Sequence, residues 1–255
     1  MRYFLKLAYR GAPFHGWQRQ PNASSVQQTV EEALATILRT EVPLTGAGRT
    51  DTGVNARCMY AHFDMPEHAS GIDTAAFLRG LNRLCGPDIA LRELIPVPDD
   101  AHARFDATLR TYKYFVTESK SPFLYPLSWH SPSRLDIDLM NRAAATLLHT
   151  DDFTSFAKLH SDTRTNICDV SHAEWTVSDS VITGERLLVF TISADRFLRN
   201  MVRAVTGTLV EVGRGKLSLE GFADVIAAKD RQVAATSMPA CALTLWDVKY
   251  ARLNI

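Results

Sequence analysis

The chain has 255 residues, with 28 basic and 28 acidic side chains, so its formal net charge is zero. Because 46% of its residues are hydrophobic and 22% are charged, it can bury a core, and the composition excludes a disordered, collagen-like or low-complexity protein. The length allows one large domain or two of ordinary size.

The amino-terminal residues MRYFLKLAYRG alternate between polar and apolar side chains, which predicts a strand rather than a signal peptide. No apolar run approaches the ~18 residues that a membrane span requires, so we expect no membrane partner. The four cysteines lie far apart and form no C-x-x-C pair. We therefore expect reduced thiols in a cytoplasmic protein, without a zinc site or a redox motif.

Hydrophobic periodicity predicts the elements of the first half. The spacing favours a strand over residues 3–9, and Ser25 with Gln28 has the form of a capping box at the start of a helix. After that helix the pattern predicts a short strand near 42–45, a glycine-rich loop over 46–53, a strand around 58–63, a helix near 73–84 and a strand near 89–97. Prolines and aspartates at 96–100 mark a join, so we divide the chain into residues 1–102 and 103–255.

The second half opens with a long predicted strand over residues 108–117, whose period of two places Arg110, Tyr112 and Tyr114 on one face. Apolar residues at positions 197, 201, 205 and 209 predict a helix with Arg199 and Arg203 one turn apart. The other elements predicted here are a proline-rich loop at 121–132, a helix near 136–148, strands around 166–177 and 187–193, a helix at 218–229 and a strand at 243–250.

Both halves mix strands and helices in an irregular order that does not suit a doubly wound parallel sheet. The sequence therefore predicts an α+β fold, with helices packed on a largely antiparallel sheet.

Residues 46–56, GAGRTDTGVNA, form the densest candidate for chemistry. Three glycines within eight positions allow the backbone to approach a ligand closely, and Arg49 and Asp51 bring opposite charges to the end of a strand. A neighbouring guanidinium favours the ionised carboxylate that a nucleophilic aspartate requires. A tight turn with a surface ion pair explains the same spacing equally well.

Several familiar motifs do not fit this chain. Residues 51–53 spell the aspartic-protease triplet, but that chemistry needs a second such triplet, which the chain lacks. The glycines at 46 and 48 do not lie between a strand and a helix as in a dinucleotide fingerprint, and residues 213–216 lack the spacing of a P-loop. The eight histidines form no H-E-x-x-H pair and no close cluster with cysteines, so no metal site is predicted.

Two further segments combine functional candidates with structural residues. Residues 103–114, ARFDATLRTYKY, interleave aromatic and basic side chains, a pattern that suits an unpaired base and its phosphates, although half-buried strand tyrosines are the commoner explanation. Between Arg196 and Lys216, five basic residues accompany Glu211 alone, and the chain has 21 arginines against 7 lysines. Arginine suits phosphates and base edges, yet net neutrality argues mildly against a polyanionic partner.

Taken together, these segments resemble the tRNA pseudouridine synthase A family, and the resemblance covers nearly the whole chain. The motifs that carry it are GWQRQ with PN at 16–22, SVQ at 25–27, GAGRTD at 46–51, ARF at 103–105, R-x-Y-x-Y at 110–114, DFTSF at 152–156, FL with MVR at 197–203, GTL at 207–209 and VG at 212–213. Each motif is weak alone, but their order along the chain makes the match specific.

The resemblance implies a pseudouridine synthase fold, with two similar α/β halves and the active cleft between them. It further implies a homodimeric enzyme that isomerises uridine to pseudouridine in the anticodon stem-loop of tRNA, without cofactor or metal. By motif position, Asp51 is similar to the catalytic aspartate, Tyr112 to the tyrosine that stacks on the target base, and Arg203 to the arginine that pairs with the aspartate. Arg49 is similar to the family's RNA-contacting arginine.

The chain departs from the family pattern near the candidate loop. Arg10 stands where Asp is usual, Thr52 where Ala is usual, and Asn55 where His is usual. Two other functions stay open: the departures at Arg10 and Asn55 support the first, and the lone Asp-Thr-Gly triplet at 51–53 supports the second. The first is a catalytically silent RNA-binding or chaperone protein of the same fold, and the second is an aspartate-dependent hydrolase of a small glycoside or peptide.

Overall fold

The structure is a computed structural model, which describes residues 1–159, 165–181, 183–253 and 255. The chain forms two compact units, Met1–Thr108 with Leu245–Ile255, and Leu109–Thr244. The prolines and aspartates at 96–100 predicted one division, after residue 102. In the structure the carboxyl-terminal residues return to the first unit, where the last strand lies beside the strand that follows the candidate loop.

The described residues form nine strands and five α-helices. The strands are β1 (Arg2–Tyr9), β2 (Thr45–Gly46), β3 (Asn55–Asp64), β4 (Ile89–Val97), β5 (Leu109–Thr117), β6 (Trp129–His130), β7 (Val170–Asp179), β8 (Arg186–Ala194) and β9 (Leu243–Lys249). The helices are α1 (Val26–Leu38), α2 (Thr74–Leu84), α3 (Ile137–Ala145), α4 (Met201–Gly213) and α5 (Leu219–Ala228). Among these described helices, none is long and apolar enough to cross a bilayer.

In the first unit the strand order is β4-β1-β3-β9, and β1 runs antiparallel to both of its neighbours. The inner residues of β1, Phe4, Leu5 and Leu7, are fully buried, which explains why the amino-terminal pattern predicted a strand. Helix α2 packs on β4, and α1 packs on α2. The short strand expected at 42–45 forms later, as β2, which pairs with β3 through Thr45 and Gly46.

In the second unit β8 lies between β5 and β7 and is antiparallel to both, while the two-residue strand β6 is parallel to β5. Helix α3 packs against α4, α5 and β7. The predicted α+β class with a largely antiparallel sheet is therefore confirmed.

Four of the helices begin at a residue whose side chain accepts a backbone N–H of the first turn, as the capping rules predict. These residues are Ser25, Asp73, Asp136 and Ser218. At α1, Ser25 Oγ accepts from the Gln28 N–H at 3.2 Å, but the Gln28 side chain donates to Glu32. The predicted capping box is therefore present in its first half.

Helix α4 begins four residues later than the apolar spacing predicted. Asn200, with φ of 67°, lies in the left-handed region immediately before the helix, and the Met201 N–H donates to the Leu198 carbonyl in a turn. Phe197 fits the helical spacing, but its ring packs on the sheet instead, against Tyr112. The expectation that Arg199 and Arg203 share one helix is therefore wrong, because Arg199 precedes α4.

A close backbone contact fixes the segment that follows α5. A Cβ at Gly207 would overlap the Thr236 carbonyl oxygen, so this chain segment passes directly against the helix backbone. Two hydrogen bonds hold it there: the Met238 N–H donates to the Arg203 carbonyl at 3.1 Å, and the Ala235 N–H donates to Thr208 Oγ1 at 3.2 Å.

We predict that Gly207→Ala lowers the free energy of unfolding by about 1–3 kcal/mol, because the added methyl must displace a backbone carbonyl. Gly221→Ala is the matched control in another helix. Its added methyl would meet the flexible end of the Leu217 side chain, and alanine has a higher helix propensity than glycine. Urea unfolding of both variants tests this. Equal stability of the two variants would contradict the close contact.

Candidate active site

Asp51 lies in the loop between β2 and β3, at the entrance to β3. The Val54 N–H donates to the Asp51 carbonyl at 3.1 Å, which closes a turn, and Gly53 takes the left-handed conformation with φ of 79°. Asp51 is half-buried, whereas its neighbours Arg49 and Thr52 are exposed. The carboxylate is thus carried on a tight turn at a strand end.

Residues Gly16 and Trp17 pack directly on this loop. The Trp17 N–H donates to the Thr50 carbonyl at 3.2 Å, and a Cβ at Gly16 would lie 2.6 Å from the same oxygen. The Trp17 indole covers Gly46, where a Cβ would lie 2.5 Å from the ring. Both positions require glycine. A side chain at Gly16 would meet the loop backbone, and a side chain at Gly46 would meet the Trp17 ring.

Two buried hydrogen bonds tie the start of the turn after β1 to the same loop. Tyr9 Oη and Thr50 Oγ1 lie 2.8 Å apart, and the Gly11 N–H donates to Asn55 Oδ1 at 2.8 Å. Asn55 is 5% exposed, so its amide replaces solvent for the Gly11 backbone. The residue that departs from the family pattern here has a defined structural role.

The other departure in this region, Arg10, is also satisfied locally. Its Nε donates to Asp88 Oδ1 at 2.7 Å, and its backbone N–H donates to the Asp88 carbonyl at 2.9 Å. Arg10 therefore joins the end of β1 to the chain immediately before β4.

Arg49 is positioned by a relay of amide side chains. Its Nε donates to Gln18 Oε1 at 3.2 Å, and Gln18 Nε2 donates to Gln27 Oε1 at 2.8 Å. Gln27 in turn donates to Glu31 and to the Leu44 carbonyl, at 3.0 and 2.9 Å. An exposed guanidinium is thus directed by helix α1 rather than by a carboxylate.

Tyr112 lies on β5, opposite Ile192 of β8, and is half-buried. The Phe197 ring meets it edge to face, with ring centroids 5.1 Å apart and planes at 88°. The phenyl ring restricts how the tyrosine ring turns, so Phe197 fixes the orientation of a candidate base platform.

Arg203 lies in the first turn of α4 and is half-buried. Its Nε donates to the Met238 carbonyl at 2.6 Å, and the next carbonyl, that of Pro239, accepts the Tyr114 hydroxyl at 3.1 Å. Burial raises the pKa of Tyr114 beyond its ordinary range, so this hydroxyl stays protonated and donates. A neutral backbone carbonyl is therefore one of the groups that orient the guanidinium.

The basic run between Arg196 and Lys216 divides into two parts. Arg214 and Lys216 both face Glu211, at 2.8 and 3.9 Å, so one carboxylate balances one of the two positive charges at this end of the run. Arg199 is exposed in the turn before α4, where its carbonyl accepts the Lys158 N–H. The arginines that remain candidates for substrate contact are those at the start of α4.

The sequence-predicted residues are therefore distributed over both units. Arg49 and Asp51 share one loop of the first unit, and Tyr112 and Arg203 belong to the second. Among residues 1–159, 165–181, 183–253 and 255, no group of three or more His, Cys, Asp or Glu side chains is placed to hold a metal ion.

Sequence reasoning missed the residues that position these side chains. Gln18 and Gln27 belong to the GWQRQ and SVQ motifs, and one short loop separates them. These two motifs were therefore the sequence signal for the relay that positions Arg49. The Met238 carbonyl had no signal, because a backbone acceptor is independent of residue type.

The segment 103–105 lies in a turn before β5 rather than on the strand. Ala103 is fully buried, and its N–H donates to His62 Nδ1 at 3.1 Å. Burial, with the nearby positive charge of Arg2, lowers the pKa of His62 from 6.5 to about 4. The neutral imidazole is required, because only a deprotonated Nδ1 accepts this hydrogen bond.

Known proteins resemble this chain over nearly its whole length. A family model described as tRNA pseudouridine synthase matches residues 143–251. The chain is 54% identical over 249 residues to the tRNA pseudouridine synthase A of Parabacteroides distasonis, covering 98% of this chain and 96% of that protein. It is 55% identical over 249 residues to the Bacteroides thetaiotaomicron protein of that name, covering 98% and 90%. The Syntrophotalea carbinolica protein of that name is 39% identical over 249 residues, covering 97% and 95%.

We predict that His62 makes the fold less stable in acid. The unfolded chain takes up a proton at this residue near pH 6.5, and the folded chain only near pH 4, so the free energy of unfolding falls as the pH drops between these values. The full contribution is up to about 3 kcal/mol. Urea unfolding at a series of pH values tests this, with His62→Gln as control, since an amide cannot titrate. Parallel pH profiles for the two proteins would contradict the prediction.

Proposed function

This chain belongs to the tRNA pseudouridine synthase A family, and we propose that it isomerises uridine to pseudouridine in tRNA with Asp51 as the nucleophile. The observation that supports this role most directly is the loop itself. A half-buried aspartate is carried on a turn that is tied to β1 and to the following segment by buried hydrogen bonds and glycine contacts. A nucleophile requires this kind of fixed placement.

The reaction breaks the bond from uracil N1 to the sugar C1′ and forms a bond from C5 to the same carbon. One proton leaves C5 and one is gained at N1, so substrate and product are isomers and the balance requires no redox cofactor. The Asp51 carboxylate serves either by adding to the base or by attacking the anomeric carbon, as a retaining glycosidase does. Both routes need an ionised carboxylate.

The remaining roles follow the family resemblance. Tyr112 is assigned as the platform on which the extruded base rests, and its fixed ring plane suits that task because a held ring loses little freedom on binding. Arg203 is assigned as the charge partner of the aspartate, and its Nε bond to the Met238 carbonyl leaves the positive charge unneutralised at that contact. Arg49 is assigned to contact RNA.

We further propose the anticodon stem-loop as the target region. A uridine within a stem must leave its stack before the carboxylate reaches it, and stacking on an aromatic ring offsets part of that cost. We also propose that the reaction takes place in the cytoplasm.

The silent RNA-binding alternative rested on the departures at Arg10 and Asn55. Both residues make well-defined local bonds, with Asp88 and with the Gly11 backbone. The departures therefore change how the loop is supported while leaving Asp51 in place, which favours an active enzyme.

We propose that the protein acts as a homodimer. In the loop between β5 and β6, Phe123, Tyr125 and Leu127 are 75%, 73% and 48% exposed. Monomers rarely leave so much apolar surface together, which favours a protein partner. Light scattering at working concentration should give twice the chain mass of 28.4 kDa, and a monomer would contradict the proposal.

We predict that Asp51→Asn lowers the rate of pseudouridine formation on an unmodified tRNA transcript by on the order of 10⁴-fold or more, because the amide is not a nucleophile. Binding of the transcript should persist. Pseudouridine is mapped by carbodiimide-induced stops of reverse transcription, which should fall in the anticodon stem-loop for the unaltered protein.

Thr52→Ala is the matched control, because Thr52 is the exposed neighbour of Asp51 and has no assigned role. It should keep its activity. Product formation by Asp51→Asn at the control's rate would exclude the proposed nucleophile. Stops confined to other parts of the tRNA would exclude the anticodon stem-loop as target.

A further inference from the structure

One exposed aromatic residue, Phe105, is not among the residues assigned a role above. Phe105 is 74% exposed, although phenylalanine is normally a core residue. It belongs to the turn that follows the buried Ala103 and precedes β5, in the first unit. No role in the reaction has been given to it.

The Phe105 ring is the last of four rings that contact one another in succession, beginning in the core. The Phe4 ring is fully buried on β1, and its centroid lies 6.2 Å from that of the His62 ring. The centroids of the His62 and His102 rings lie 4.6 Å apart. The His102 ring lies 4.2 Å from the Phe105 ring, with their planes inclined at 33°. Phe105 is therefore supported from beneath by packed rings while most of its surface remains open.

The turn that presents Phe105 is held by hydrogen bonds to its own backbone. His102 Nδ1 accepts the N–H groups of Arg104 and Phe105, at 3.1 and 3.3 Å. Asp106 closes the turn, since its carboxylate accepts the His102 N–H at 2.8 Å and its N–H donates to the His102 carbonyl at 3.0 Å. A ring presented so rigidly loses little conformational freedom when a partner packs on it.

The charge beside the ring indicates the kind of partner. The Arg104 guanidinium lies over the Phe105 ring, 5.6 Å from the ring centroid. Nucleobases stack on aromatic rings and on guanidinium planes, and a cation attracts the phosphate attached to a base, so this pair of side chains matches RNA.

We propose that Phe105 is a stacking platform for an unpaired nucleobase of the tRNA, separate from the site that receives the target uridine. The inference rests on tRNA as the substrate and does not depend on which residue is the nucleophile. The base that stacks here is one already outside a helix, because a base inside a helix has both of its faces covered by neighbouring bases.

The test compares Phe105→Trp, Phe105→Leu and Phe105→Ala in the full chain, with an end-labelled unmodified tRNA transcript. Phe105→Trp keeps an aromatic face, and Phe105→Leu keeps apolar volume without one. Phe105→Ala and Phe105→Leu should both raise Kd about tenfold, the usual size of one base–aromatic stack, while Phe105→Trp binds as the unaltered protein does. The increase should appear in KM and not in kcat.

The salt dependence of Kd separates stacking from charge. All three variants should keep the slope of the unaltered protein, because no phosphate contact is removed. Normal binding by Phe105→Ala, or by Phe105→Leu, would overturn the proposal. A fall in particle mass by light scattering that accompanies the weaker binding would also overturn it, since Phe105 would then belong to a protein interface.

The binding assay needs no turnover, so its outcome is independent of the proposed nucleophile. If Asp51→Asn remains active while Phe105→Ala binds weakly, the nucleophile assignment fails and the platform stands.

Discussion

The contact of backbone with backbone around Asp51 is the constraint on which the site depends. Gly11, Gly16 and Gly46 each lie where a Cβ would overlap the loop or the indole that covers it. The segments can approach so closely only because these residues lack side chains. The loop is consequently held between β1, the turn that follows β1, and β3, and these contacts fix the position of Asp51.

Several neutral groups contribute to holding the assigned residues. A tyrosine hydroxyl and an asparagine amide support the aspartate loop, a glutamine supports Arg49, and a backbone carbonyl supports Arg203. Arg203 also stands in the first turn of a helix, where the helix dipole disfavours a cation. Each of these contacts orients its side chain or loop through a hydrogen bond with a neutral group.

Local signals in the sequence predicted most of the fold. Ser25, Asp73, Asp136 and Ser218 begin their helices as capping rules require, and alternation along β1 and β5 gave the strands. The start of α4 was not predictable from spacing, because Phe197 continues the helical period while its ring packs on Tyr112. The groups that position the site residues were not predictable from the sequence either. The Met238 carbonyl and the succession of rings that ends at Phe105 depend on contacts between residues far apart in the chain, which no local pattern encodes.

We propose that the Asp51 loop keeps this conformation when tRNA binds. A crystal structure of the protein with a tRNA that carries an unreactive uridine analogue would test it most directly. We expect the Tyr9–Thr50 and Gly11–Asn55 hydrogen bonds to persist in this complex and the Asp51 carboxylate to contact the target nucleotide. A loop that has lost both hydrogen bonds in the complex, or an Asp51 carboxylate directed away from the nucleotide, would contradict it.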